Sequence, residues 1–307
     1  MAEKGYYIGI DAGGTKTLLT SEDAMSGRRT VFQGGPLNIC SVPEQEAYAA
    51  AAQLLAEAIR YAEGTCLGIG IGAAGASNPK TCAFYGYVIN EILPGVPFVV
   101  DTDARAALYG ALAGEEGLII IAGTGSVCYG EWKGKSAQCG GGGHIIDDGG
   151  SGYMIGREIL SAVLRSWDGR AEETLLAELL RRHAGITSQS ELIDFVYNST
   201  NGKKEIASLA VLIDGACSEK DPAAMDIISR AAGELALLAE GAARQLDIRE
   251  SAKLAMGGSM LLKNRYLREA LTEKISISCP FLTYTDTREN ASCGAIRMFK
   301  KMMKQNG

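Results

Sequence analysis

The sequence predicts an α/β protein with two domains. Its 307 residues, 47% of them hydrophobic, exceed what a single core usually accommodates. Short apolar runs that end in glycine turns alternate with longer stretches of helical periodicity. A strand–glycine turn–strand unit occurs at 6–20 and again, weakly similar, at 117–132. We therefore expect two related halves that face each other.

The first half reads as three strands, then helix, strand, helix, strand and helix. Apolar runs bounded by turn residues predict its strands at 6–10, 17–20, 30–33, 67–71 and 97–100. Ser41 and Glu44 have the spacing of a capping box, which predicts the start of an alanine-rich helix that runs to Glu63 and stops at Gly64. A further helix is expected over 104–113.

The second half begins with a strand hairpin and continues as helices. The same patterns predict strands at 117–122, 126–132 and 254–256, a short extended run after Lys133-Gly134, mostly helical structure over 152–247, and a closing helix over 291–304. The closing helix has a basic end, which is favourable at a helix C-terminus.

Composition excludes several classes of protein. The net charge of −6 argues against a nucleic-acid binder, which would need a basic face. Two histidines leave little material for imidazole metal sites, and eight scattered cysteines without a C-x-x-C pair are expected to be reduced core residues. The first strand starts at Tyr6, which leaves no room for a signal peptide, and no apolar run is long enough to span a bilayer. We expect a cytoplasmic protein with no membrane partner.

Three glycine loops follow apolar strands and could bind a nucleotide. Glycines let backbone amides approach a phosphate, hydroxyls and a lysine supply further donors, and a carboxylate such as Asp11 can hold Mg²⁺ through water. The residues expected to bind the nucleotide are Gly13, Gly14, Thr15, Lys16, Thr17, Thr124, Gly125, Ser126, Gly257, Gly258 and Ser259. Each loop alone could be only a tight turn, but all three in this order indicate a nucleotide site.

The glycine-rich stretch 70–75 has the G-x-G-x-x-G pattern of a dinucleotide-binding turn. The residues after it, Ala76 to Pro79, are expected to break a helix rather than open one. A Rossmann site is therefore not expected, and close approach of the Gly75 backbone to a substrate is the preferred interpretation. The 14–17 segment lacks the spacing of a P-loop.

The three loops resemble the phosphate-1, phosphate-2 and adenosine motifs of the actin-like ATPase superfamily, which includes sugar kinases and heat-shock chaperone ATPases. Residues 139–153, CGGGGHIIDDGGSGY, are similar to the G-x-G-H-x-x-x-D-x-G-S-x-Y signature of the BadF/BadG/BcrA/BcrD ATPase family, in particular its N-acetylglucosamine-kinase-like members. The resemblance covers essentially the whole chain. It implies two ribonuclease H-like domains with an interdomain cleft, 1–115 and 116–289, with the helix 290–307 packed back on the first, and it implies ATP and Mg²⁺.

The resemblance also implies individual roles. Asp103 matches the catalytic base, which would accept the proton of a sugar hydroxyl. Asp101, two residues earlier, is a rival, and either aspartate could instead cap the following helix. Asp11, the carboxylate at the end of the first strand, is expected to orient the metal, and His144 is expected to order its loop by hydrogen bonding rather than to catalyse. The positions that match sugar-contacting residues are Asn38, Gly140, Gly141 and Asp148, and contacts with the sugar are also expected from Asp103 and from the backbone of Gly75.

The expected activity is ATP-dependent phosphorylation of the 6-hydroxyl of an amino sugar: N-acetylglucosamine, N-acetylmuramic acid or glucosamine. The alternative is an ATPase activator of a 2-hydroxyacyl-CoA dehydratase, but such proteins hold a 4Fe–4S cluster by cysteines after the phosphate-2 loop, where this chain has only Cys139. A non-catalytic sugar sensor is a third interpretation, which Asp11 and Asp103 argue against. Homodimerisation, common among relatives, stays open.

Overall fold

The computed structural model describes residues 4–39, 41–197 and 202–306, with the side chains beyond 304 left out. The chain forms two units, each built on one five-stranded sheet. The N-terminal unit extends to Gly117 and includes the chain from Asp286 onwards, and the C-terminal unit is Leu118–Thr285.

The N-terminal unit starts with a three-stranded meander followed by two parallel crossovers. Its elements in order are β1 (Gly5–Ala12), β2 (Thr17–Asp23), β3 (Arg29–Gly34), α1 (Glu44–Tyr61), β4 (Thr65–Ala73), α2 (Pro79–Ile92), β5 (Phe98–Thr102) and α3 (Asp103–Ala111). The sheet order is β3-β2-β1-β4-β5, antiparallel from β3 to β1 and parallel from β1 to β5. Ile8 and Ile10 of β1 are almost fully buried, so the central strand anchors the core.

The C-terminal unit repeats this plan with a helical insertion. Its elements are β6 (Gly117–Ala122), β7 (Ser126–Trp132), β8 (Lys135–Gly140), α4 (Gly152–Trp167), α5 (Leu175–Ala184), α6 (Gln189–Tyr197), α7 (Lys203–Ser208), α8 (Leu212–Ser218), α9 (Pro222–Gln245), β9 (Ala252–Gly257), α10 (Gly258–Lys263), α11 (Arg265–Ser278) and β10 (Leu282–Thr285). The sheet order β8-β7-β6-β9-β10 matches β3-β2-β1-β4-β5 strand for strand. The predicted α/β class and the relatedness of the halves are confirmed.

The closing helix α12 (Ala291–Asn306) belongs to the N-terminal unit, where it packs against the sheet and α3. Glycines make this close packing possible. A Cβ atom on Gly70 would overlap the carbonyl oxygen of Ala295, and one on Gly68 would overlap the ring of Phe299. On its other side, a Cβ atom on Gly294 of the helix would overlap the carbonyl oxygen of Ala106. Backbone-to-backbone contact therefore holds α12 in place.

Two predictions about helix starts are wrong. The capping box at Ser41 and Glu44 does not form, since Pro43 is the N-cap of α1 and no side chain caps it. The Ser41 amide, which Glu44 would have bound, donates instead to the carbonyl oxygen of Asn38 at 2.8 Å. Pro79 opens α2 rather than breaking a helix, because a proline in the first turn needs no amide hydrogen, and Asn78 caps that turn.

The seven cysteines within the described ranges are free thiols, five of them buried, as expected for reduced core residues. Cys40 lies outside the described residues. So do residues 1–3, on which the expectation about a signal peptide depends in part. Among the described helices, none combines the length and apolar character needed to cross a bilayer.

We expect Glu289→Gln to destabilise the N-terminal unit by about 2 kcal/mol at neutral pH. Glu289 accepts hydrogen bonds from Arg297 at 2.6 and 2.7 Å and from Arg29 at 2.8 Å, which ties β3 to α12. These guanidinium groups, Arg297 first, lower the pKa of Glu289 from 4.5 to about 2 despite its burial. The stabilisation is therefore complete above about pH 4.5 and is lost as the pH falls towards 2.

Urea unfolding of the natural protein and of Glu289→Gln, at neutral pH and at about pH 3, measures the difference in their free energies of unfolding. This difference should be smaller at the lower pH. Glu63→Gln is the matched control, since Glu63 forms a solvent-exposed ion pair with Lys4 at 3.2 Å and should contribute less than about 0.5 kcal/mol. Equal effects of the two substitutions at neutral pH would show that the Glu289 network adds nothing beyond a surface ion pair.

Candidate active site

The predicted site residues of the N-terminal unit lie at the carboxyl edge of its parallel strands. Asp11 of β1 pairs in register with Gly72 of β4, which pairs in turn with Asp101 of β5. The chain leaves this edge at Gly13 after β1, at the turn that contains Gly75 after β4, and at the start of α3 after β5. Such an edge is where α/β sheets usually bind their ligands.

Asp11 and Asp103 interact electrostatically at this edge. Burial and, to a smaller extent, the neighbouring carboxylate of Asp103 raise the pKa of Asp11 to about 6, although Lys16 opposes the shift. Burial also raises the pKa of Asp103, although the amide of Ala104 donates a hydrogen bond to its carboxylate at 2.9 Å. The structure thus brings together the predicted metal residue, the predicted base and a lysine of the first glycine loop.

Asp101, the rival of Asp103, is engaged in an ion pair. Its carboxylate accepts hydrogen bonds from the guanidinium of Arg105 at 2.6 Å and from the amide of Thr102 at 2.7 Å. The Thr102 hydroxyl caps α3 by accepting from the Arg105 amide at 3.3 Å, so neither aspartate is the N-cap. The spacing of Asp101 and Arg105 on a helix start could have revealed this pair from the sequence.

The first glycine loop is a tight turn between β1 and β2. Thr15 and Lys16 are exposed and can offer donors to a ligand, whereas Thr17 is buried at the start of β2. A Cβ atom on Gly13 would lie 2.5 Å from the carbonyl oxygen of Lys16, so this position has room only for glycine. A Cβ atom on Gly14 would lie 2.9 Å from the hydroxyl of Ser41.

Asn38 packs against this loop. The amide of the preceding Leu37 donates to the carbonyl oxygen of Gly13 at 3.2 Å, and a Cβ atom on Gly14 would lie 3.7 Å from the Asn38 amide nitrogen. The Tyr85 hydroxyl of α2 donates to the Leu37 carbonyl oxygen at 2.8 Å. Asn38, the predicted sugar-binding residue, and the predicted phosphate loop therefore pack together, and the hydrogen bond from Tyr85 of α2 supports them.

Asp148 joins the second glycine loop to the signature segment in the C-terminal unit. It is 2% exposed and adopts a φ of 62°, which is unusual for a residue with a side chain. Its carboxylate accepts a hydrogen bond from the Ser126 amide at 3.1 Å and from Lys203 at 2.6 Å. The Ser126 hydroxyl donates to the carbonyl oxygen of Gly149 at 2.7 Å. Sequence reasoning missed Lys203, an isolated lysine in a helical region with no motif around it.

Further backbone hydrogen bonds fix the same loop. The Gly141 amide donates to the Ser126 carbonyl oxygen at 2.9 Å, and the Gly152 amide donates to the Gly123 carbonyl oxygen at 2.7 Å. Gly140 and Gly141 have φ values of 81° and 79°, a conformation that favours glycine. Thr124 is exposed at the loop tip. The ring of His144 contacts the ring of Tyr153 with 4.8 Å between ring centroids, so the contact observed for this histidine is an aromatic one.

The predicted adenosine motif lies beside the second glycine loop. Gly257 of β9 pairs in register with Ile121 of β6, so the loops that follow these parallel strands are neighbours. Gly258 has a φ of 82°, and a Cβ atom there would overlap the carbonyl oxygen of Ala122. Ser259 is exposed in the first turn of α10. The structure thus brings the second and third glycine loops together in one unit.

The residues present suit a hydrated magnesium ion and a polyphosphate. Burial raises the pKa of both Asp11 and Asp103, and the nearby carboxylate of Asp103 adds to the rise at Asp11. A divalent cation would relieve that repulsion. Carboxylate oxygens are the ligands that Mg²⁺ prefers, and it commonly keeps several waters. The exposed donors Thr15, Lys16 and Thr124, set on glycine turns, suit phosphate oxygens.

Comparison with known proteins shows which proteins this chain is similar to. Residues 8–281 match the model of the BadF/BadG/BcrA/BcrD ATPase family. An N-acetylmuramic acid/N-acetylglucosamine kinase from Clostridium acetobutylicum is 33% identical, over 95% of this chain and 97% of that protein. An N-acetyl-D-glucosamine kinase from Dictyostelium discoideum is 29% identical with the same coverage. The crystal structure of a proposed N-acetylglucosamine kinase from Chromobacterium violaceum has a TM-score of 0.76 at 22% identity, over 95% of this chain and 98% of that one. The likeness confirms the predicted actin-like ATPase fold.

Proposed function

The chain belongs to the BadF/BadG/BcrA/BcrD ATPase family, and on that premise we propose that it is an ATP-dependent kinase that phosphorylates the 6-hydroxyl of an amino sugar. The observation that carries the proposal is the pair Asp11 and Asp103 at the carboxyl edge of the N-terminal sheet. This edge also carries a phosphate-type glycine loop and Asn38. Carboxylate, loop and polar side chain are what transfer of a phosphoryl group to an alcohol requires.

Asp103 is the base in this proposal. Its raised pKa brings proton affinity closer to that of a useful base at neutral pH, and the Ala104 amide fixes the orientation of its carboxylate. As the sugar oxygen attacks the terminal phosphorus of ATP, its proton passes to Asp103, and ADP leaves with the electrons of the broken P–O bond. Asp101 is unsuited to this role because Arg105 balances its charge.

The glycine loops bind the phosphates. In the N-terminal unit, Gly13 to Lys16 offer backbone amides, a hydroxyl and an ammonium. In the C-terminal unit, Thr124 and Gly125 offer backbone amides and a hydroxyl, whereas the amide and hydroxyl of Ser126, also predicted to bind the nucleotide, donate to Asp148 and Gly149. Gly257 to Ser259 would lie against the adenosine. When bound, Mg²⁺ would neutralise phosphate charge, and Asp11 would orient it through water. Preorganised donors of this kind contribute most of the catalysis of phosphoryl transfer.

The sugar is expected to contact Asn38, Gly75, Asp103, Gly140, Gly141 and Asp148. Asn38 is 8% exposed and packed on the phosphate loop, which would place a hydroxyl bound there next to the transferred group. Gly75 has a φ of 79° in its turn, where the Asn78 amide donates to its carbonyl oxygen at 2.9 Å. The division of the chain at Gly117 and Asp286 supports domains near the predicted boundaries.

A screen for sugar-dependent ADP release with Mg·ATP tests the proposal. We expect turnover with N-acetylglucosamine, N-acetylmuramic acid or glucosamine. With glucose we expect a kcat/KM at least about tenfold lower, because polar groups of the site that pair with the nitrogen substituent of an amino sugar would have no partner. An ATPase rate that none of these sugars changes would contradict the proposal.

The alternative activator of a dehydratase makes an opposite prediction about iron. The sulfur of Cys139 accepts a hydrogen bond from the side-chain Nε2 of Gln245 at 3.1 Å, and burial raises the pKa of the thiol. Cys139 is therefore a poor candidate for a thiolate ligand. We expect protein purified without oxygen to be colourless and free of iron and sulfide by elemental analysis. A brown protein with stoichiometric iron would favour the activator instead.

A further inference from the structure

Lys203, which forms an ion pair with Asp148, has no role in the chemistry described so far, and Asp148 has been assigned only a contact with the sugar. Lys203 starts the short helix α7, and its ammonium lies 2.6 Å from Oδ2 of Asp148. The other carboxylate oxygen, Oδ1, accepts the hydrogen bond of the Ser126 amide at 3.1 Å. Both oxygens of this almost fully buried carboxylate are therefore engaged by the protein itself.

Asp148 lies in direct contact with the second glycine loop. A Cβ atom on Gly125 would be 2.7 Å from Oδ1 of Asp148, so glycine is required where the loop passes the carboxylate. The left-handed backbone of Asp148 is held in place by this contact and by its two hydrogen bonds. A buried negative charge at this point would repel the phosphates of a nucleotide unless a cation balanced it.

The helix that carries Lys203 is packed tightly beside the same loop. A Cβ atom on Gly156 of α4 would overlap the carbonyl oxygen of Ile206 of α7. A Cβ atom on Gly152, whose amide donates to the Gly123 carbonyl oxygen, would lie 3.4 Å from the carbonyl oxygen of Ala207. The packing of α7 on α4 therefore holds the ammonium of Lys203 at a constant place relative to the loop.

We propose that Lys203 is a positioning residue for the nucleotide: it neutralises Asp148 and so keeps the Thr124–Gly125–Ser126 loop able to accept phosphate. Lys203 acts through Asp148 and touches neither substrate. The inference rests on the proposed function in one respect, that the ligand of this loop is the phosphate chain of Mg·ATP.

Equilibrium binding of Mg·ATP by titration calorimetry, without sugar, tests the proposal. We expect Lys203→Met to raise the Kd about tenfold, since an unbalanced charge near the phosphates costs on the order of a factor of ten. The matched control is Lys204→Met, because Lys204 is the exposed neighbour on the same helix and should leave the Kd within about twofold. Equal Kd values for Lys203→Met and Lys204→Met would overturn the proposal.

Two further variants separate charge balance from a merely structural role. Lys203→Arg keeps the charge and should bind within about threefold of the natural protein. The double variant Asp148→Asn with Lys203→Met keeps an acceptor for the Ser126 amide and removes both charges, so it should recover most of the affinity even if the single Lys203→Met protein is unstable. A folded double variant that binds as weakly as Lys203→Met would overturn the proposal.

These outcomes are distinct from failure of the proposed function. If the natural protein binds Mg·ATP but phosphorylates no sugar, the kinase proposal fails while the Lys203 series still decides the positioning role. If the natural protein does not bind Mg·ATP at all, both proposals fail.

Discussion

Asp103→Asn is expected to lower kcat for sugar phosphorylation by about 10³-fold, the contribution typical of a general base. An asparagine has nearly the shape of aspartate but cannot accept the proton of the sugar hydroxyl. The amide of Ala104 can still donate to its side-chain oxygen, so the start of α3 should be preserved. The Kd values for sugar and for Mg·ATP, measured by calorimetry, should stay within about threefold.

Asp101→Asn is the control for this prediction. It breaks the ion pair between Asp101 and Arg105, which are four residues apart. It should lower the stability of the protein but reduce kcat far less than Asp103→Asn does. Asp103→Asn should have the opposite effect on stability. It removes one of two repelling, partly desolvated charges, so its melting temperature should equal or exceed that of the natural protein. Comparable kcat losses in the two variants would assign no special role to Asp103.

The pH profile of kcat should follow from the same environment. Burial raises the pKa of Asp103 above 3.8, and the base is active only as the carboxylate. Activity should therefore rise with pH through the acidic range, because protonation of the Asp103 carboxylate at lower pH removes the base. Asp11, with a pKa of about 6, adds to the loss on the acidic side. The residual activity of Asp103→Asn should lack the part of this profile that is due to Asp103.

Gly294→Ala is expected to destabilise the N-terminal unit by at least about 3 kcal/mol, although alanine normally favours a helix. A Cβ atom at this position of α12 would overlap the carbonyl oxygen of Ala106 in α3, and backbone cannot move aside as a flexible side chain can. The helix would have to separate from α3, which would also disturb its contacts with the glycines of β4. Urea unfolding followed by far-UV circular dichroism measures the loss.

Gly86→Ala is the matched control, also a glycine inside a helix. The nearest atom to its Cβ would be the ring of Phe98 at 3.5 Å, an ordinary contact, so alanine should stabilise α2 by about 0.5–1 kcal/mol. Both tryptophans, Trp132 and Trp167, lie in the C-terminal unit, so their fluorescence reports on that unit separately. A stabilising effect of Gly294→Ala would show that α12 is not packed against α3 as described.

The sequence predicted the elements whose signals are local. Apolar runs placed most of the strands, and the glycine loops after β1, β6 and β9 were found where the structure has them. The repeated strand–turn–strand unit predicted the common plan of the two sheets. Periodicity and turn chemistry are properties of neighbouring residues, so a single sequence carries them.

Features set by distant contacts could not be predicted this way. The short strand β10 has a weak local signal and forms because β9 offers a paired edge. The capping box at Ser41 failed because the Asn38 carbonyl oxygen takes the Ser41 amide. The Lys203–Asp148 ion pair joins residues far apart in sequence, and no motif marks the lysine. The roles of Asp103 and Asn38 stay predictions that depend on family resemblance together with the geometry of one sheet edge.

The central claim is that the terminal phosphoryl group of ATP is transferred to a sugar alcohol, with Asp103 accepting the proton. Phosphorus NMR of the natural protein incubated with Mg·ATP and N-acetylglucosamine, N-acetylmuramic acid or glucosamine tests it most directly. We predict that ADP and a sugar phosphate monoester, coupled to the protons on carbon 6, appear in equal amounts, and that Asp103→Asn forms neither at a comparable rate. Release of inorganic phosphate alone, at a rate that is the same with and without sugar, would contradict the claim.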